Sequence, residues 1–154
     1  DAHPRRPRHP RRSPRQGPRP AVGLTLVLPA GSRLRHRVDF TETFRRSRGV
    51  RGDGLLVVHL AASPDPAQPA ARVGLVVSKA VGPAVTRNRV KRRLRHLLAD
   101  RLEQLAPGSR LVVRALPAAA RAEFNALSVA LDAALDRARR QRGAPASAGR
   151  RGER

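Results

Sequence analysis

The sequence predicts a small α+β domain, an α/β sandwich, flanked by two disordered basic tails. Three observations carry that expectation. Apolar residues switch between a helical period and short β-branched runs, in the order helix, short strand, two longer strands, helix, strand, helix. The chain has 154 residues of which 40% are hydrophobic, enough for one modest core. Both ends offer nothing to bury.

Residues 1–20 (DAHPRRPRHPRRSPRQGPRP) alternate Pro with Arg, which favours an extended, self-repelling segment. Composition leaves two roles open for it, an arm that grazes nucleic acid or a passive extension. The expected divisions are an extension over 1–27, a domain over 28–142 and a tail over 143–154. Asp39-Phe40-Thr41-Glu42 has the spacing of a capping box, with a helix to about Arg48 that puts Phe40 and Phe44 on one face. Residues 55–60 (LLVVHL) and 73–78 (VGLVVS) read as neighbouring antiparallel strands, joined by the Pro-laden loop 61–70. Pro83 suits the first turn of a helix over 84–105, which Pro107-Gly108 stops. Residues 111–113 (LVV) form another strand. A last helix over 119–142 aligns Phe124, Leu127, Leu131, Leu135 and Ala138.

Charge narrows the partners. Lys and Arg number 33 against 11 Asp and Glu, a net +22, so polyanions are drawn in, either nucleic acid or an anionic membrane surface. A GC-rich genome accounts for part of the Arg, Ala and Pro bias. The densest stretch is VTRNRVKRRLRHLL, residues 85–98, with six cations between positions 87 and 95. On a helical wheel Val90, Leu94, Leu97, Leu98 and Leu105 share one arc, Asn88, Lys91, Arg92 and Arg95 a second, and Arg89, Arg93 and His96 a third. Arg101 falls inside the apolar arc and is expected to snorkel. A solvated helix face is the usual fate of such charges, but no acidic partner lies between 86 and 98 to relieve their repulsion. Nucleic acid is therefore the favoured partner, met by cations whose spacing a buried seam holds rigid.

Cysteine is absent, which excludes disulfides and thiolate chemistry, and the five His (3, 9, 36, 59 and 96) lack the spacing of a metal site. No apolar run approaches a membrane span. Residues 21–30 imitate a secretory signal but have a short apolar core and no clear cleavage site, so a cytoplasmic protein is expected.

The string Arg87-Asn88-Arg89-x-Lys91-Arg92-x-x-Arg95, preceded by Gly74-Leu75-Val76-Val77-Ser78-Lys79 and by Arg33-Leu34-x-x-x-x-Asp39-Phe40-x-x-x-Phe44, resembles the protein subunit of bacterial ribonuclease P over residues 28–138. The resemblance implies a four-stranded sheet and a left-handed strand-helix-strand crossover, where general rules favour a right-handed one. It implies a ribonucleoprotein in which an RNA subunit removes the 5′ leader of precursor tRNA by Mg2+-dependent hydrolysis, the Mg2+ being held mainly by RNA. The implied partners are that catalytic RNA and precursor tRNA, with no membrane and no obligate protein partner. Lys79, Arg87, Asn88, Arg89, Lys91, Arg92 and Arg95 match its RNA-contacting set, and the chain shows no residues placed for catalysis of its own. Arg33, Phe40 and Phe44 match the leader cleft, with Leu56 and Val58 as its floor; the residues alone leave core packing equally open for both Phe side chains. Departures are Ala80 where a second Lys is frequent, His96 where an acid or amide is usual, and the complete lack of Tyr, which leaves leader stacking either weaker or confined to Phe40 and Phe44. Family chains begin near Leu28, so residues 1–26 read as a translated extension and Val27 as an alternative start. A non-enzymatic RNA-binding module, such as a ribosomal protein or RNA chaperone, is the competing class, and a DNA packer the third.

Overall fold

The computed structural model describes residues 28–63, 67 and 70–143. Both predicted tails and part of the Pro-laden loop lie outside these residues. The elements follow the expected order: α1 (Arg37–Arg46), β1 (Val50–Gly52), β2 (Leu56–Ala62), β3 (Arg72–Val76), α2 (Ala84–Arg101), β4 (Ser109–Ala115) and α3 (Phe124–Gly143), with 3-10 turns at Ala30–Ser32, Lys79–Val81, Leu102–Gln104 and Pro117–Ala120.

The four strands form one sheet in the order β1-β2-β4-β3. Strands β2 and β3 run in opposite directions, as the sequence suggests, but they are not neighbours: β4 lies between them, antiparallel to β2 and parallel to β3. The physical reason is burial. Strand β4 buries every residue except Arg114, so it claims the centre, while the long loop after β2 lets the chain cross to the far edge. Helix α2 connects the parallel pair β3 and β4. Strands β1 and β2 meet at Asp53-Gly54, where both residues have positive φ (48° and 70°), the backbone that a tight hairpin turn requires.

Strand parity then sorts the side chains. Leu56, Val58 and Leu60 pair with Ala115, Val113 and Leu111, and all six are buried in one core with Val90, Leu94 and Leu98 of α2 and Leu127, Leu131 and Leu135 of α3. Burying each of these large aliphatic side chains contributes roughly 1.5–3 kcal/mol. The opposite parity places Val57, His59 and Ala61 beside Arg114, Val112 and Arg110, and these beside Val76, Gly74 and Arg72. Helix α1 crosses that second face.

The seat of α1 differs from the capping-box expectation. His36 occupies the cap position and no side chain caps the helix. Asp39 instead lies 3.2 Å from Arg110 in an ion pair that is largely buried, and Glu42 bridges Arg45 and Arg46 on the exposed side. Thr43 is fully buried and donates back to the Asp39 carbonyl. Phe40 rests directly on Gly74, where a Cβ would lie 2.7 Å from the ring's Cζ and closer still to Cε1.

Gly74→Ala is expected to destabilise the protein by about 1–3 kcal/mol through overpacking against Phe40. Urea denaturation checks this, and Phe40→Ala in the same chain should return part of the loss as a favourable coupling.

Candidate nucleic-acid interface

Helix α2 begins directly after Pro83, whose φ of −64° is preset for a helix start, and the Arg87 amide donates to the Pro83 carbonyl at 3.0 Å. The expected span to 105 is divided: the α-helix ends at Arg101 and a 3-10 turn carries the chain to Leu105. Val90, Leu94, Leu97, Leu98 and Leu105 are all buried, as the apolar arc predicts.

Arg93 and His96 of the third arc, together with Arg101, hold α2 against its neighbours, while Arg89 of that arc stays exposed. Arg93 donates to the Ala122 carbonyl at 3.0 Å, and His96 meets the ring of Phe124 edge-on with centroids 5.6 Å apart. Arg101 is anchored rather than snorkelling into water: it grips both carboxylate oxygens of Asp132, donates to Ser128 Oγ at 2.7 Å and donates to the Leu97 carbonyl at 2.8 Å. The hydrogen bond that Arg101 donates to Asp132 raises the guanidinium above its ordinary value against the opposing effect of burial, and the same bond holds the Asp132 carboxyl below its own.

The remaining cations and Asn88 reach the surface to different degrees. Asn88, Arg89, Arg92 and Arg95 are exposed, Arg87 and Lys91 half-buried, and Lys79 is exposed on the 3-10 turn that leads into the helix. Two of them meet the aromatic helix. A cavity of about 130 Å3 is bounded by Arg33, Leu34, Phe40, Gly74, Lys91 and Arg95 among its lining residues. Arg33 is held there by donating to the Leu28 carbonyl at 3.2 Å and by a bridge to Val73. The structure thus brings Phe40, Arg33, Lys91 and Arg95 to one place.

It does not bring Leu56 and Val58 there. Both are fully buried, facing α3 and not α1, so neither forms a floor that a ligand could touch. The residues of β2 that share a face with α1 are Val57 and His59, one position away in parity. Phe44 is 37% exposed and meets His59 edge-on at 4.7 Å, while Phe40 is half-buried. Ser47 Oγ lies 3.4 Å from His59 Nδ1. Burial, and then the neighbouring Arg114 charge, push the His59 imidazole below its ordinary value. Arg114 itself is exposed on the same face. A partly open sheet face with two rings along one side and cations along the other can accept a single strand by stacking and by phosphate contact.

Known proteins share the sequence and the fold of this chain. Residues 28–139 match the family model for ribonuclease P. The chain belongs to the ribonuclease P protein family. It is 54% identical over 117 residues to the ribonuclease P protein component of Streptomyces bikiniensis, covering 72% of this chain and 94% of that one. It is 48% identical over 133 residues to the protein component of Salinispora tropica, covering 76% and 97%. Among solved structures, an RNase P protein mutant of Staphylococcus aureus superposes with a TM-score of 0.63 at 26% identity, covering 70% of this chain and 88% of that one. The RNase P protein of Thermotoga maritima gives 0.57 at 25%, covering 70% and 96%. As a ribonuclease P protein, the chain is a component of an endoribonuclease complex of tRNA processing and a partner of the ribonuclease P RNA. No helix among the described residues is long and apolar enough to cross a membrane.

The His59 shift has a measurable sign. Because the folded state holds His59 neutral to lower pH than the unfolded chain does, stability is full above the ordinary value of 6.5 and is lost as pH falls through the lowered folded value. An NMR titration should place the His59 midpoint below 6.5, and His59→Gln should flatten the fall of the urea midpoint in that window.

Proposed function

We propose that this ribonuclease P protein binds the catalytic RNA through the outward rows of α2 and steadies the 5′ leader of precursor tRNA along α1, while the RNA subunit carries out the Mg2+-dependent cleavage in the cytoplasm. The observation that supports this best is the shared cavity, where Phe40 of the aromatic helix meets Lys91 and Arg95 of the cationic helix. A strand lying there has a ring for a base and cations for its phosphates at once.

Each part has its own physical task. Arg89, Arg92 and Arg95 neutralise phosphates and release counterions, which gives affinity without reading sequence. Asn88 adds a donor and an acceptor on the same surface. Arg93 and Arg101 fix the rod that carries them. Phe44 and Phe40 offer stacking surfaces, and Arg33 and Lys79 extend the cationic border at either side. In this reading Mg2+ is held mainly by the RNA subunit and substrate, and none of these residues is given a step in the cleavage.

Reconstitution tests the reading. Adding the protein to its cognate catalytic RNA at low Mg2+ should raise precursor-tRNA cleavage well above RNA alone; RNA binding with no gain in cleavage would instead favour a non-enzymatic RNA-binding module. Arg92→Ala should leave folding stability within about 0.5 kcal/mol, because the side chain is exposed, and flatten the slope of log K against log salt by up to about one unit. Phe44→Ala should weaken leader affinity by about 1–3 kcal/mol with an unchanged slope, since a stacking contact carries no counterion.

A further inference from the structure

A second cationic site lies at the other end of α1, away from α2. A cavity of about 550 Å3 opens between the end of α1, the last residues of β2 and the end of α3, with Arg46, Ser47, Arg48, Gln141 and Arg142 on its rim. It exists because β1 pairs only with residues 56–58 of β2, which leaves the outer edge of Leu60–Ala62 uncovered by a strand. No carboxylate lines it.

Two of its three guanidinium groups have local duties. Arg46 bridges to Glu42 at 3.1 Å, and Arg142 donates to Ser109 Oγ at 2.8 Å; both also suit the negative end of the helix on which they sit. Arg48 has no such duty. It lies two residues past the end of α1, is exposed, and has no ion-pair partner among the described residues.

The site is continuous with the ring pair. Ser47 lines the cavity, its hydroxyl lies 3.4 Å from His59 Nδ1, and His59 in turn touches the edge of Phe44. Anything stacked on Phe44 and leaving α1 in this direction meets Arg48 next. We propose that Arg46, Arg48 and Arg142 form a second phosphate site for single-stranded RNA, which takes the part of the leader that has passed Phe44. Along α1 the first cavity is lined by Phe40 and the second begins at Arg46, six residues or about 9 Å further on, with Arg48 beyond the helix end, so the second one is reached only by a leader longer than the segment held at Phe40 and Phe44. This inference rests on the leader-binding reading above.

The test is a leader-length series bound to the reconstituted complex, with Arg48→Ala as the variant and Arg45→Ala as the control. Arg45 sits on the same helix and carries the same charge but does not line the cavity. For long leaders, Arg48→Ala should weaken binding several-fold and flatten the salt slope by about 0.7, the value for one phosphate of a single strand. For leaders that end at the ring pair it should change nothing, and Arg45→Ala should change neither. Equal loss with both leader lengths, equal loss from Arg45→Ala, or no loss overturns the second site. If Phe44→Ala still weakens both leaders in that case, leader binding along α1 stands without it; if the complex binds every leader no better than mature tRNA, both fall. Inorganic triphosphate that competes with short and long leaders alike would mark a general anion site and also count against the assignment.

Discussion

Everything that α2 presents depends on one balance of forces. Six cations crowd nine positions with no acidic side chain within that stretch, so each i,i+4 pair of like charges costs a few tenths of a kcal/mol. Val90, Leu94, Leu97 and Leu98 offset this by burial on a scale of roughly 1.5–3 kcal/mol each, which is the larger effect by a wide margin. Two cations of α2 find partners on or beside α3: Asp132 holds Arg101, and the carbonyl of Ala122 just before α3 accepts from Arg93. Two cations are thereby taken out of the surface and used as anchors. The others keep a fixed spacing that a flexible basic tail could not maintain.

Helix α1 is fixed differently. It has few apolar contacts for its length, and its position rests on a buried ion pair, Asp39 with Arg110, and on one ring lying against a glycine. Removing either partner of such a pair leaves an uncompensated charge in the interior. Because Phe40 and Phe44 are carried on the same helix, the placement of both rings on the sheet follows from those two contacts. Phe40 is therefore at once part of the packing and part of the lining of the cavity that Lys91 and Arg95 share.

Most of this was legible in the residues, and the exceptions have physical causes. The element order and the apolar seam of α2 follow from periodicity, which survives because the seam is one-sided. The neighbourhood of β2 and β3 did not follow, since sequential strands usually pair and the two Arg residues of β4 disguise a strand that is buried on both faces. Leu56 and Val58 were assigned to the wrong face through the family match, although the strand itself carries the signal: His59 is the polar residue in LLVVHL, and a period of two from it marks Val57 as its companion on the partly open side. Asp39 has the spacing of a cap, but a distant Arg110 takes its carboxylate, and no local window contains both. Asp53-Gly54 is a hairpin signal that went unread in the sequence, since the strand before it is only three residues long.

The far edge of the sheet shows how the domain protects itself. Strand β3 ends the sheet, and its run RVGLV would otherwise offer a bare row of amides and carbonyls to any passing chain. The Leu34 amide donates to the Val73 carbonyl at 2.9 Å, and Arg33 bridges the same residue, so the segment just before α1 acts as a bumper along that border. A chain shortened past residue 34 would lose this bumper together with the buried Leu28 and Leu34, and so would bare the border of β3 and loosen the packing behind it in one step.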